Sequence, residues 1–135
     1  MSTPPTQWNV FLPYNTPPLT ANQRMHHRQR AQVVKNVRAA ARVVAQSLRI
    51  PGLPACQVEL HYVPRDSRRR DADNLVPTLK AACDGLVDAR IVPDDTPEWM
   101  DKRMPIIHRA DPTRRNNERL WLFIIRLEAR KGDVA

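Results

Sequence analysis

The stretch RMHHRQRAQVVKNVRAAARVVAQSLR, residues 24–49, decides the fold. Its apolar residues recur at helical spacing, and arginines and lysines cover the rest of its surface. The pattern predicts one long amphipathic helix with a cationic face, which Pro51-Gly52 ends. The expected buried stripe is Val33, Val34, Val37, Ala40, Ala41, Val44 and Leu48.

Strand patterns lie on both sides of this helix. Residues 7–14 (QWNVFLPY) mix aromatic and β-branched side chains and predict a first strand. Residues 56–64 (CQVELHYVP) alternate apolar and polar side chains, which is typical of a half-buried strand. Residues 98–110 predict a strand leading into a loop. The nearly continuous apolar run at 119–129 predicts a central strand buried on both faces.

A second helix is predicted at residues 75–88 (LVPTLKAACDGLVD). Proline is tolerated only in the first turn of a helix, so Pro77 indicates where this helix begins. Asn74 is then the natural N-cap, and Asp71 and Asp73 lie just before the helix, at the end of an extended segment. The expected buried stripe is Leu79, Ala82, Cys83, Leu86 and Val87.

The order strand, helix, strand, helix, strand, strand predicts an α/β (α+β) fold, with a small mixed sheet packed with two main helices. A chain of 135 residues suits one domain, residues 1–135, with flexible tails at 1–6 and 131–135. Cys56 and Cys83 have no metal-binding spacing and are expected to be reduced and buried, although the sequence leaves a disulfide between them open.

The charge distribution points to a polyanionic partner. The net charge is +8 and the pI is about 10.5, which favours nucleic acid. No apolar run approaches the roughly 20 residues of a membrane span, and MSTPPTQWNV lacks the features of a signal peptide. We therefore expect a cytoplasmic protein without a membrane partner. No motif for an organic cofactor is present.

Acidic residues are concentrated in one window of this basic chain. Eight of the 14 lie between Asp71 and Asp101, and none precedes Glu59. Asp71 and Asp73 are two positions apart, so in an extended segment both face one way. With a carboxylate of the later pair Asp94-Asp95 they would make a set of three that suits Mg²⁺. Alternatively, Asp73 caps the helix, Asp71 pairs with the arginines, and Asp94-Asp95 only forms a turn.

Cationic side chains flank these carboxylates. Lys80 lies near the helix start, where it could stabilise charge on a phosphate; alternatively it pairs with Asp84, four residues on. Arg68, Arg69 and Arg70 could clamp phosphates, or form a solvated run of charge. The residues alone do not decide between these alternatives.

Two strings in this region resemble the signature of the RusA family of Holliday junction resolvases. They are RRRDADNL (residues 68–75) and KAACDGLVDARIVPDD (residues 80–95). The signature runs R-R-D-x-D-N-L, then K-x-x-x-D-A-L, then A-G-x-x-x-D-D. The similarity is close from Arg69 to Asp95. It extends more loosely to LTANQRMHHR (residues 19–28), which is similar to the family's loop before the first helix.

The resemblance implies a small homodimeric nuclease of phages and prophages, active in DNA recombination and repair in the bacterial cytoplasm. Such an endodeoxyribonuclease uses Mg²⁺ or Mn²⁺ to resolve four-way junctions by paired symmetrical nicks. The resemblance places the metal-binding, catalytic aspartates at Asp71, Asp73 and Asp95, and the catalytic lysine at Lys80. The candidate DNA-binding residues are Arg68, Arg69, Arg70, Asn22, Arg24, His27 and Arg28.

The chain departs from the family pattern at two positions. The spacing from Asp73 to Lys80 is longer by three residues, which would move the lysine by ~4.5 Å along the helix axis. Arg90 stands where the family usually has glycine, so it loses the easy left-handed turn while offering a phosphate contact. Two other functions stay open from sequence: a non-catalytic basic DNA-binding protein, and a nuclease that prefers flaps or forks.

Overall fold

Residues 3–129 fold into a five-stranded mixed sheet and two helices, the α+β class predicted from sequence. A computed structural model describes residues 3–129. The main elements in chain order are β1 (Gln7–Phe11), α1 (His27–Ser47), β2 (Ala55–Tyr62), α2 (Val76–Asp88), β3 (Met100–Lys102), β4 (Ile106–Ile107) and β5 (Leu120–Leu127). Short 3₁₀ turns at Ala72–Leu75 and Asn116–Glu118 precede α2 and β5. The tail predicted at 131–135 lies outside the described residues.

The last strand of the chain lies inside the sheet. The strand order is β1-β5-β2-β3, and β4 pairs with β2 beyond the end of β3. β5 runs antiparallel to both of its neighbours, whereas β3 and β4 run parallel to β2. Ile124 of β5 therefore stands between Trp8 of β1 and Val58 of β2. The carbonyl of Thr6 extends the β1–β5 ladder by accepting from the Arg126 N–H at 2.8 Å.

Only one face of the sheet belongs to the core. The alternation predicted for β2 is confirmed, with Val58 and Leu60 buried and Glu59 half-buried. β5 alternates in the same way, so the prediction that it is buried on both faces is wrong: the core lies against one face only. The buried side chains of β5 are Leu120, Leu122 and Ile124, and the half-buried ones are Trp121, Phe123, Ile125 and Leu127.

The opposite face of the sheet carries an aromatic cluster. The rings of His61 and Trp121 stack with their centroids 5.1 Å apart, and His108 stacks on Trp121 at 5.5 Å. The Arg114 guanidinium lies over the Trp121 ring at 4.8 Å. These contacts explain how a large tryptophan is half-buried on the face of the sheet opposite the core.

The two helices approach each other closely. Val37, Ala41 and Ala45 are the buried residues of α1, spaced four apart, and Gly85 of α2 faces Ala41. The prediction that Leu48 is buried is wrong: it is 45% exposed and lies just after the last residue of α1, Ser47. The Arg38 guanidinium donates to both Asp88 carboxylate oxygens, at 2.5 and 2.7 Å, and so joins the exposed rims of the helices. Within the described residues, no helix combines the length and apolar character that a membrane crossing needs.

Both helices end in the same motif, with arginine in place of the usual glycine. Arg49 has φ 55° and Arg90 has φ 64°, in the left-handed region that favours glycine. At Arg90 the turn is closed by the hydrogen bonds Arg90 N–H to Val87 O and Ile91 N–H to Leu86 O, at 2.9 and 3.2 Å. Arg90 thus keeps the left-handed turn, at the cost of backbone strain that glycine would avoid.

The strand predicted at 98–110 forms as two short strands, β3 and β4. Both pair with β2, and the Arg103 N–H donates to Val58 O at 2.9 Å between them. Pro105 has no N–H to donate, so the ladder is interrupted just before Ile106. This interruption leaves residues 103–105 as a bulge beside the start of α2.

The two cysteines are free and buried, as predicted. Burial in apolar surroundings raises the pKa of the Cys56 thiol to about 12 and also raises the pKa of Cys83. Both are therefore core side chains without thiolate character at neutral pH.

Candidate functional site

Asp71 and Asp73 line one open cleft of about 380 Å³ at the start of α2. Both carboxylates are exposed, and neither has a hydrogen-bond or ion-pair partner in the described part of the chain. The remaining lining residues are Ala21, Asn22, Arg69, Arg70 and Asn74. The cleft thus combines two carboxylates, unpaired within the described residues, with two guanidinium-bearing residues.

The backbone at the two aspartates differs from the predicted extended segment. Asp71 is extended, with φ −107° and ψ 133°, but Asp73 lies within the 3₁₀ turn Ala72–Leu75. The N–H of Asn74 donates to Asp71 O at 3.1 Å and tightens the chain there. The two carboxylates therefore share the cleft because of the turn and not because of strand alternation.

Asn74 does not cap α2. No side chain caps that helix, and the Asn74 Oδ1 instead accepts from the Asn22 N–H at 3.0 Å. The Asn74 carbonyl accepts from the Ala21 N–H, also at 3.0 Å. Asn74 therefore pins the loop before α1 to the start of α2, and this tertiary use of its side chain overrides its capping preference.

The alternative roles weighed for the two aspartates are not realised in the described residues. Asp73 makes no capping hydrogen bond. The arginines pair with Asp66 and not with Asp71: Arg70 Nη2 lies 2.8 Å from Asp66 Oδ1, and Arg68 Nη2 lies 3.2 Å from Asp66 Oδ2. These contacts lower the pKa of Asp66, the hydrogen bond from Arg70 being the largest cause.

Arg70 is fixed in place, whereas Arg69 is not. Arg70 also donates to the carbonyls of Asp66 and Arg68, at 2.8 and 2.9 Å, and its guanidinium carbon lies 5.9 Å from the centre of the Tyr62 ring. Arg69 is exposed and has no side-chain partner in the described residues. The cleft therefore offers an anion one rigid cation and one adaptable cation.

The other candidate DNA-binding residues divide by position. Asn22 lines the cleft. Arg24, His27 and Arg28 are exposed at the start of α1 and do not line it. His26 caps α1, its Nδ1 accepting from the Arg28 N–H at 3.2 Å, and its ring stacks on His27 at 4.4 Å. The residues around 24–28 thus form a separate polar surface.

Asp95 lies between two lysines. Lys102 Nζ donates to Asp95 Oδ2 at 2.9 Å, and Lys80 Nζ lies 3.8 Å from the same oxygen. The hydrogen bond from Lys102 is the largest cause that lowers the pKa of Asp95. Asp94 Oδ1 accepts from the Asp95 N–H at 2.8 Å and shapes the turn. The alternative ion pair between Lys80 and Asp84 is not formed.

The three aspartates do not converge on one point. Within the described residues, no group of three or more His, Cys, Asp or Glu side chains is placed to hold a metal ion. Asp71 and Asp73 share a cleft, while Asp95 is engaged by ammonium groups. Protein-bound Mg²⁺ is commonly held by one or two carboxylates, with waters and substrate phosphate completing its shell, so the exposed pair fits this ion.

Sequence reasoning missed two residues of this region, Asp66 and Lys102. The spacing of Asp66 and Arg70, four apart, was the available signal for an ion pair, although that spacing is informative mainly in helices. Lys102 had no local signal. It lies seven residues after Asp95, across the turn in which the Trp99 and Met100 N–H groups donate to Thr96 O, and this spacing is not one at which side chains of a helix or a strand contact each other.

No family model and no curated protein matches the chain.

Proposed function

We propose that this protein is a Mg²⁺-dependent endodeoxyribonuclease that resolves four-way DNA junctions, as the resemblance to the RusA family implies. The observation that supports this most is the cleft of Asp71 and Asp73. A protein of net charge +8 exposes two carboxylates without partners in its described residues, beside Arg69 and Arg70. Carboxylates repel phosphates unless a cation joins them, so a site of this kind is useful to a DNA-binding protein when it holds metal.

Asp71 and Asp73 are the carboxylates that would hold the ion, Mg²⁺ or Mn²⁺. When bound, the ion supplies Lewis-acid polarisation of the phosphate and lowers the pKa of an attacking water. The resemblance also makes Asp95 a ligand, and this role stays a prediction because Lys80 and Lys102 now engage its carboxylate.

The side chains of the chain itself would bind and polarise the scissile phosphate. Arg70, held by Asp66, presents a guanidinium of fixed orientation to the phosphate. The Arg69 side chain can adjust its position to contact the DNA backbone. Lys80 and Lys102 provide positive charge close to Asp95, where it would stabilise negative charge developing on the phosphate. The three-residue insertion before Lys80 is therefore compatible with a role for this lysine near Asp95.

The wider surface supports a branched DNA substrate. The exposed cations of α1 can contact phosphates without reading sequence, which suits recognition of shape. A homodimer would present two sites related by a twofold axis, matching the symmetry of a four-way junction and giving paired nicks. Such an enzyme would act on recombining DNA in the bacterial cytoplasm.

The test is cleavage of a synthetic four-way junction with and without Mg²⁺, mapped at nucleotide resolution. We expect Asp73→Asn to slow cutting at least ~100-fold, equivalent to ~2.7 kcal/mol of transition-state stabilisation. Glu98→Gln is the matched control, because Glu98 is an exposed acidic residue of the same window outside the cleft, and should leave the rate unchanged. Undiminished cutting by Asp73→Asn would refute the site.

A panel of linear, flap, fork and junction substrates tests the class of nuclease. Faster cutting of flaps or forks than of junctions would contradict the assignment as a junction resolvase. Binding that Mg²⁺ only weakens, with no cutting of any substrate, would identify a non-catalytic DNA-binding protein.

A further inference from the structure

A second cleft, of about 200 Å³, lies between the start of α2 and the bulge after β3. It combines apolar and cationic side chains in an unusual way. Val76 and Met104 on its rim are 40% and 59% exposed, among the most exposed large apolar side chains of the described residues. The lining is Val76, Leu79, Lys80, Lys102, Arg103, Met104 and Pro105, none of which lines the cleft of Asp71 and Asp73.

The cationic side of this cleft has a surplus of positive charge. Lys80 and Lys102 both contact the single carboxylate of Asp95, so one of the two ammonium charges is left without a counter-charge there. Arg103 is 56% exposed and only loosely paired, its Nη1 lying 3.4 Å from Asp101. The charge of the cleft is therefore complementary to a single phosphate group.

The groups that line the cleft are anchored to the core. Lys102 pairs with Val58 of β2 in the sheet, and the Arg103 N–H donates to Val58 O at 2.9 Å. Leu79, one residue before Lys80, is buried in the core. The backbone that carries the lysines and the apolar rim is thus anchored to the core on both sides of the cleft, and a binding site needs such support.

We infer that this cleft binds the nucleotide of the branched substrate that carries the scissile phosphate, with that phosphate on Lys80 and Lys102 and its unstacked base against Val76 and Met104. The inference rests on the proposed function for its substrate. Bases inside a duplex have both faces covered, whereas those at a branch point can leave the stack. Every base has an apolar face, and exposed methionine is among the side chains that proteins wedge against unstacked bases.

The test places the fluorescent base 2-aminopurine next to the branch point of a four-way junction, in Ca²⁺ so that binding is measured apart from cleavage. Wild-type protein should raise the fluorescence on binding, because the probe is quenched by stacking. Met104→Ala should abolish the rise and weaken binding about fivefold, as expected when the part of the methionine side chain beyond Cβ no longer covers the base. Leu48→Ala, an exposed apolar residue at the far end of α1, is the matched control and should behave as wild type.

The phosphate contact has its own readout. Lys102→Gln should reduce the slope of log affinity against log salt by about 0.7, the contribution of one phosphate on a single strand, while Met104→Ala leaves the slope unchanged. A junction bound by wild type without a fluorescence rise would overturn the inference, as would a rise that Met104→Ala retains. A rise lost in Met104→Ala, in a protein that cuts no DNA, would support the subsite and refute only the nuclease.

Discussion

The substitution Gly85→Ala tests the close packing of α2 on α1. A Cβ added at Gly85 would lie 2.9 Å from Ala41 Cβ and 3.1 Å from the Arg42 backbone nitrogen, and under 3.0 Å from the Arg38 carbonyl. Ordinary contacts begin at 3.4 Å, so the Ala41 contact alone requires the helices to separate by 0.5 Å. The obstacles are backbone and Cβ atoms, which cannot rotate away.

The cost follows from opposing effects. Overpacking a core lowers the free energy of unfolding by ~1–3 kcal/mol, and by more where the backbone must move. Replacing glycine by alanine within a helix raises it by ~1 kcal/mol through helix propensity. We place the overpacking at ~3 kcal/mol, because a carbonyl is the nearest obstacle, and so expect a net loss of ~2 kcal/mol. With an unfolding entropy of ~2.1 cal/mol/K per residue over 135 residues, this lowers Tm by ~7 °C.

The assay is thermal and urea unfolding followed by circular dichroism, with Gly52→Ala as the matched control. A Cβ at Gly52 would meet only the Arg90 carbonyl at 3.7 Å, an ordinary contact, and Gly52 does not have a left-handed φ. Gly52→Ala should therefore be as stable as wild type or slightly more stable. Equal Tm values for the two variants would refute the close approach of the helices.

Two further changes test electrostatics and backbone strain. Arg38 holds the pKa of Asp88 below its ordinary value, so their pair contributes stability above the unfolded pKa of ~3.9 and loses it as pH falls through the lowered pKa. Because the pair is partly exposed, Asp88→Asn should cost under ~1 kcal/mol at neutral pH, and its urea midpoint should approach that of wild type in acid. Arg90→Gly removes the strain of the left-handed φ of 64° and should raise the free energy of unfolding, measured by urea unfolding, by ~0.5–1 kcal/mol. Arg90→Ala keeps a Cβ at this position and should leave the free energy of unfolding unchanged.

The parts of the fold that sequence predicted are those specified by local periodicity. The spacing of apolar residues within α1 and within β2 is enough to predict each element, and each forms within a few residues of its predicted bounds. The prediction that β5 lies inside the sheet is confirmed, but the prediction that both of its faces are buried is wrong. Trp121 and Phe123 are as apolar as their neighbours, and only the side on which the helices pack decides which residues are covered.

The same limit applies to the candidate site. Asp71 and Asp73 were found from their spacing and share a cleft, although through a 3₁₀ turn. Asn74 carried a helix-capping signal but bonds to Asn22, because a tertiary partner outcompeted the local one. Lys102 contacts Asp95 across the turn at residues 96–100, at a spacing of seven residues at which side chains of a helix or a strand do not contact each other, and so gave no signal in the sequence.

The central position of β5 has a consequence for synthesis of the protein. Ile125 of β5 pairs with Gln7 of β1 on one side and with Gln57 of β2 on the other, so within the described residues β5 joins β1 to β2. The sheet therefore cannot close before β5 has left the ribosome. Earlier chains can form helices, but their strands lack the partner that aligns them, and such non-local pairing is slow. A nascent chain therefore stays without its native sheet until β5 has been synthesised and has left the ribosome.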